Sequence, residues 1–170
     1  MNLATRLFLP FAALSALAAP AFAQSLRIPT DSVPAIEVAK QSGWKENYDD
    51  YGNLVIFADD GAGAVLLRLI TGGPGEPMPT NEEIANVILG AAGAKPFTKR
   101  EPSSFAGGPA EAFHSTMQVN GGPVIRLRLL VRKLDGSRLA IGVTMIPDTA
   151  TPDQRARVEA QLGAARIATR

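Results

Sequence analysis

The chain contains no cysteine in 170 residues. That excludes disulfide staples, iron–sulfur clusters, thiol redox chemistry and a cysteine nucleophile. Histidine is nearly as scarce, because His114 stands alone. A Ser-His-Asp hydrolase would have to use His114 as its base. A general base or metal ligand at that position would also need partners that its sequence neighbours do not supply. A charge surplus is missing too: 17 Lys and Arg stand against 16 Asp and Glu. A dedicated nucleic-acid binder needs a basic excess to neutralise phosphates, so no nucleic acid is expected as a partner. No transmembrane segment is expected after Ala23, and no internal repeat or long low-complexity tract is present.

What is present begins with an address. Met1 to Ala23 has the three parts of a secretory leader: Arg6 in a positive n-region, an apolar stretch from Leu7 to Ala19, and Ala21-Phe22-Ala23 as an A-x-A cleavage site. Pro10 interrupts the apolar stretch and Pro20 ends it. It falls short of the roughly 20 residues of a spanning helix. An uncleaved anchor is the alternative. Neither a twin arginine nor a lipid-accepting cysteine is available, so export by the general route is expected, to the periplasm or beyond. Cleavage after Ala23 removes Arg6 and leaves residues 24–170 as one soluble domain with no formal net charge. At that length a hydrophobic core suffices without staples.

The pattern after the leader is α+β. Ser32 is placed to cap a short helix carrying Ile36 and Ala39 inward and ending at Gly43, with an extended reading across Pro29 and Pro34 in competition. Asn53 to Asp59 and Ala64 to Thr71 read as a hairpin around Asp60-Gly61-Ala62-Gly63. The second run is apolar on both faces, as in an inner strand. Thr80 with Glu83 forms a capping box, and Ile84, Val87, Ile88 and Ala91 follow the spacing of one buried helix face, with Gly93 as the stop. A short strand is expected near Lys95 to Arg100. A meander follows: Pro109 to Val119, Val124 to Lys133 and Leu139 to Ile146, turning at Asn120-Gly121-Gly122 and Asp135-Gly136. Thr151, Pro152 and Gln154 start a closing helix with Val158, Leu162 and Ala165 inward. Asp153–Arg157 and Arg155–Glu159 are spaced for i, i+4 ion pairs. Gly163 costs about 1 kcal/mol against alanine unless close packing requires it. The economical assembly is an antiparallel sheet flanked by helices.

Gly43-Trp44 before a hairpin and helix, Phe105-Ala106-Gly107-Gly108-Pro109-Ala110 leading into the meander, and the ending Leu162-Gly163-Ala164-Ala165-Arg166-Ile167 resemble the PsbP-like group. That group includes photosystem extrinsic subunits and the DcrB-like periplasmic proteins. The resemblance spans Gly43 to Ile167. It implies an α/β/α sandwich, an accessory or binding role, and no shared catalytic residues to carry over.

No catalytic constellation, metal site or cofactor motif stands out. Glu111 is the acid closest to His114, but strand parity puts it on the opposite face. Gly72-Gly73-Pro74-Gly75 lies between strand and helix as a phosphate loop would, yet Pro74, Pro77 and Pro79 lack N–H groups and no Gly-Lys-Ser/Thr follows. No serine sits in a G-x-S-x-G elbow. Asp49-Asp50 and Asp59-Asp60 flank a hairpin and read as solvated turn acids, with a hard-cation site as the alternative. The feature worth testing is the stripe Arg126, Arg128 and Arg132, which two-residue periodicity puts on one sheet face. Guanidinium groups in a row suit an anion, either a phospholipid headgroup or an acidic envelope protein. The plain reading is a solvated strand face with cross-strand partners such as Glu111.

The expectation is an exported, non-enzymatic accessory or binding protein. Its rivals are a small hydrolase with a carboxylate folded against His114, and a carrier of apolar ligands. The carrier requires an unfilled cavity between sheet and helix.

Overall fold

Period-two alternation builds most of the molecule. The computed structural model describes residues 25–73 and 75–169; the expected leader and its cleavage point lie outside them. The strands are β1 (Ser25–Ile28), β2 (Ala35–Ala39), β3 (Trp44–Tyr48), β4 (Asn53–Ala58), β5 (Ala64–Thr71), β6 (Lys99–Phe105), β7 (Gly108–Gln118), β8 (Val124–Lys133), β9 (Arg138–Pro147) and β10 (Arg166–Ala168). The helices are α1 (Asn81–Ala91), between β5 and β6, and α2 (Pro152–Gly163), between β9 and β10. Seven strands form one antiparallel sheet in the order β3-β4-β5-β9-β8-β7-β6, and β1-β2-β10 form a second, smaller one. The class is α+β, richer in strand than the pattern suggested.

The turns follow their residues. Asn120 and Gly121 both hold positive φ (49° and 71°), and Gly122 N–H donates to the Val119 carbonyl at 2.9 Å. This is the geometry that suits the right-handed twist of a hairpin. Both expected capping boxes are formed, Thr80 with Glu83 and Thr151 with Gln154.

Each face of the large sheet has its own core. On one, α1 packs against β7 and β8 over Phe113, Leu127, Leu129, Val131, Leu139 and Ile141. On the other, α2 and the small sheet cover Leu54, Ile56, Val65, Leu67, Leu130 and Ile146. Strand β9 is covered on both sides, so Ala140, Gly142, Thr144 and Ile146 are buried along with Leu139, Ile141 and Val143. Gly142 is the point of closest approach. A Cβ there would lie 2.7 Å from the Phe105 ring and 2.8 Å from Leu162. Only a residue without a side chain lets α2 and Phe105 settle at that depth.

Several expectations need correcting. Residues 35–39 form a strand rather than a helix, with Ile36 and Val38 buried and Ala39 exposed. Val33 precedes a proline and is biased away from the α region, and Ile36-Glu37-Val38 alternates with period two. The strand near Lys95 to Arg100 starts later, at Lys99, and runs on to Phe105. The stripe on α1 is rotated: Ile84, Ala85 and Leu89 are buried, while Val87 is 68% exposed. The i, i+4 pairs on α2 give way to longer-range partners. Arg157 pairs with Asp60 and Glu159 with Arg128, while Arg155 donates to the carbonyls of Ala150 and Asp148. Acceptors fixed by the fold leave less side-chain entropy to lose than two mobile side chains on one exposed helix surface. Nothing lies within 4 Å of a Cβ built at Gly163, so close packing does not explain that glycine.

Candidate functional site

The arginine stripe lies on the α2 face of β8. Arg128 donates from Nη1 to Glu159 Oε2 at 2.9 Å and from Nη2 to Ser103 Oγ at 3.0 Å. The Arg132 guanidinium donates to the carbonyls of Phe105 (3.2 Å) and Ala106. It lies flat over Gly108, where a Cβ would stand 2.5 Å from its Cζ. Arg126 is exposed and makes no hydrogen bond among the described residues. The three therefore share a face but have different surroundings, and two of them tie the β6–β7 hairpin and α2 to β8. Glu111, suggested as their cross-strand partner, points to the α1 side. There it accepts from Arg100 Nε and Asn81 Nδ2, each at 2.7 Å.

His114 is the direct cross-strand neighbour of Arg128. Its Nε2 lies 2.8 Å from Glu101 Oε1 on β6, a carboxylate that sequence parity alone did not bring to it. Hydrogen bonds from Lys99 first, and His114 second, hold the Glu101 carboxyl below its ordinary range. Both side chains are about one-third exposed. The recess beside them, about 170 Å³, is lined by Ser104, Phe105, Arg128, Leu130, Glu159 and Leu162. His114 does not line it.

A roomier and more apolar concavity than this recess lies on the opposite face. Because α1 sits over β7 and β8, it leaves the neighbouring part of the sheet open. The result is a trough of about 510 Å³, within the roughly 300–1,000 Å³ usual for small-molecule sites. Leu66 of β5 and Ile141 of β9 form its floor, Val87, Ile88 and Ala91 its helix wall, and Tyr51, 79% exposed, its rim. Val87 and Ala91 belong to the apolar spacing expected to face the core. They face this trough instead.

One polar end interrupts the apolar lining: Arg68, half-buried on β5, and Asn53, its cross-strand neighbour on β4. Asp49 lies close by. It accepts from Asn53 Nδ2 (2.7 Å), Asn53 N–H (2.8 Å) and Tyr51 N–H (3.0 Å). These bonds, with a smaller contribution from the Arg68 charge, keep its carboxyl below the ordinary range.

No protein-family model and no curated protein matches the sequence. Among solved structures, cyanobacterial PsbP (CyanoP) from Synechocystis sp. PCC 6803 superposes with a TM-score of 0.57, over 91% of this chain and 99% of that one, at 9% identity. The fold is PsbP-like. A protein of Bacteroides thetaiotaomicron VPI-5482 is similar with a TM-score of 0.53 and 13% identity over 79% of this chain. The match takes in 45% of that protein, so the chain spans a little under half its length. LpqN of Mycobacterium tuberculosis, involved in cell envelope biogenesis, gives a TM-score of 0.49 at 15% identity over 86% of this chain and 91% of that one. At such identities the PsbP-like fold is what is shared, and no residue role passes from one protein to another. Among the described residues, no helix is long and apolar enough to cross a membrane and no group of three or more His, Asp or Glu gathers around a metal position.

Proposed function

We propose that this PsbP-like chain is an exported envelope protein that acts by binding rather than by catalysis, and that its ligand occupies the trough beside α1. The observation that carries the reading is the trough itself: an apolar concavity between helix and sheet, walled by side chains whose helical spacing suits burial. Exposed apolar surface gathered in one concave place marks a binding site more often than scattered surface residues do. Export rests on the leader at Met1 to Ala23. We assign the α/β/α sandwich of the PsbP-like group to the layering, with α1 as one outer layer and α2, extended by the small sheet, as the other.

A hydrolase is the second reading, favoured by the Glu101–His114 pair. The recess beside that pair does not have His114 in its wall, where a substrate would have to meet the imidazole. The exposed Arg126 adds an anion contact on the α2 face, suited to a lipid headgroup or an acidic envelope protein.

The test is equilibrium binding of N-phenyl-naphthylamine, a neutral dye that brightens in apolar surroundings. The purified protein is expected to give a saturable enhancement that Ala91→Trp abolishes, since an indole at that exposed helix position fills the trough without entering the core. Absence of saturable binding, or binding that ignores Ala91→Trp, refutes the reading.

A further inference from the structure

The trough is apolar along most of its length and cationic at one end, and that asymmetry specifies a ligand class. Resting on the binding reading above, we infer that its ligand is a single-chain amphiphile with an anionic head, the tail lying between Leu66, Ile141, Val87 and Ile88 and the head meeting Arg68. Arg68 is the unusual arginine here. Arg27, Arg100, Arg128, Arg132, Arg138, Arg155, Arg157 and Arg166 all donate to a carbonyl, hydroxyl or carboxylate. Among the described residues, Arg68 and Arg126 have no such acceptor. Arg126 is exposed to water, which solvates it. Arg68 is half-buried in a largely apolar trough, where a guanidinium gains more from an oxyanion than it does in open water.

Asp49, the acid whose charge reaches Arg68, makes no hydrogen bond with it among the described residues. The oxygens of Asp49 are held by three donors from Tyr51 and Asn53. On α1, the carbonyls of Ile88, Leu89 and Gly90 accept from the N–H groups of Ala92, Ala94 and Gly93. Arg68 lines the trough and donates to no protein acceptor among the described residues. A planar guanidinium presents paired donors that match a carboxylate or a phosphate, so both heads are admitted by the same chemistry.

The experiment is competition against the bound neutral dye, with dodecanoate, dodecyl phosphate and dodecanol each kept below its aggregation threshold at neutral pH. Both anionic ligands are expected to displace the dye from the wild-type protein at roughly tenfold lower concentration than the alcohol, the scale of a charge-assisted hydrogen bond. The two anionic arms report which oxyanion is preferred, and a preference for either over the alcohol supports the inference. Arg68→Gln should bring the acid-to-alcohol ratio of displacing concentrations close to one, a ratio read against that variant's own dye affinity, and Arg68→Lys should keep part of the advantage as a point charge. Equal competition by acid and alcohol in the wild type, or an advantage that survives Arg68→Gln, overturns the head-group assignment with the trough still standing. Failure of the neutral dye to bind at all overturns both. If Arg68→Gln does not fold, the wild-type comparison and Arg68→Lys decide: no anion advantage in either protein refutes the inference.

Discussion

Replacing Gly142 by alanine tests how closely α2 and the β6–β7 hairpin are seated on the sheet. The added methyl would stand 2.7 Å from Phe105 Cε2 and 2.8 Å from Leu162 Cδ1, against the roughly 3.5–4.0 Å at which carbon atoms rest. Phe105 and Leu162 are both almost completely buried, so neither has open space to move into. Overpacking of this kind costs about 1–3 kcal/mol. Relief of glycine's backbone entropy in a strand returns about 0.5–1 kcal/mol. The expected net is a loss of up to about 2.5 kcal/mol, from the difference of those two ranges. Leu162→Ala alone opens a cavity and should cost about 2–5 kcal/mol. In the double variant the new methyl enters the vacated space, so the loss should fall short of the sum by about 1 kcal/mol, the range of coupling between touching residues. Urea unfolding followed by far-ultraviolet circular dichroism measures all four proteins, with an unchanged slope indicating an unchanged transition. Gly142→Ala that stabilises the protein, or losses that simply add, would refute the close approach.

Two further expectations concern charge. Hydrogen bonds from Arg138 and from Ser137 lower the Asp135 pKa from 3.8 to about 2, and Glu101, Asp60 and Glu83 are also held below their ordinary values. A depressed folded-state value stabilises wherever the carboxylate is ionised. The urea midpoint should therefore hold steady from neutral pH to about 5, then fall steadily toward pH 2. A midpoint that rises across that acid window would contradict the assigned pairs. On the arginine face, replacing Arg126, Arg128 and Arg132 together by Gln should weaken association with anionic liposomes at low salt, and unchanged binding would remove that face as an anion contact. Singly, Arg132→Gln should cost about 1–3 kcal/mol by leaving the Phe105 and Ala106 carbonyls short of a donor, whereas exposed Arg126→Gln should stay within about 0.5 kcal/mol. Equal effects from the two would show that Arg132 is not holding the hairpin.

Local signals carried far in this chain. Turn residues with tolerance for positive φ, caps paired with Glu83 and Gln154, and alternation along β5, β8 and β9 are short-range physics, and each was legible from neighbours in sequence. The same signals could not say what lies across a strand face. Glu101 meets His114 through a hairpin turn at Ala106-Gly107 that no Asn-Gly or Asp-Gly announced, and Ala106 holds φ at 50° there because the paired strands require it. Strands β1 and β10 are too short for a periodic signal, at four and three residues, and exist because β2 pairs with both.

The sequence by itself determined an α+β chain free of cysteine, its capped helices, its meander and the parity of residues along β5, β8 and β9, because propensity and periodicity act over a few neighbouring positions. Only the tertiary structure decided that α1 rests on β7 and β8 instead of the middle of the sheet. That choice turns Val87 and Ala91 from core residues into the wall of a trough and leaves Arg68 at its end. A helix's apolar stripe encodes that it will be covered. Which sheet strands cover it depends on how all the side chains of both cores pack at once, and no window of sequence contains that sum.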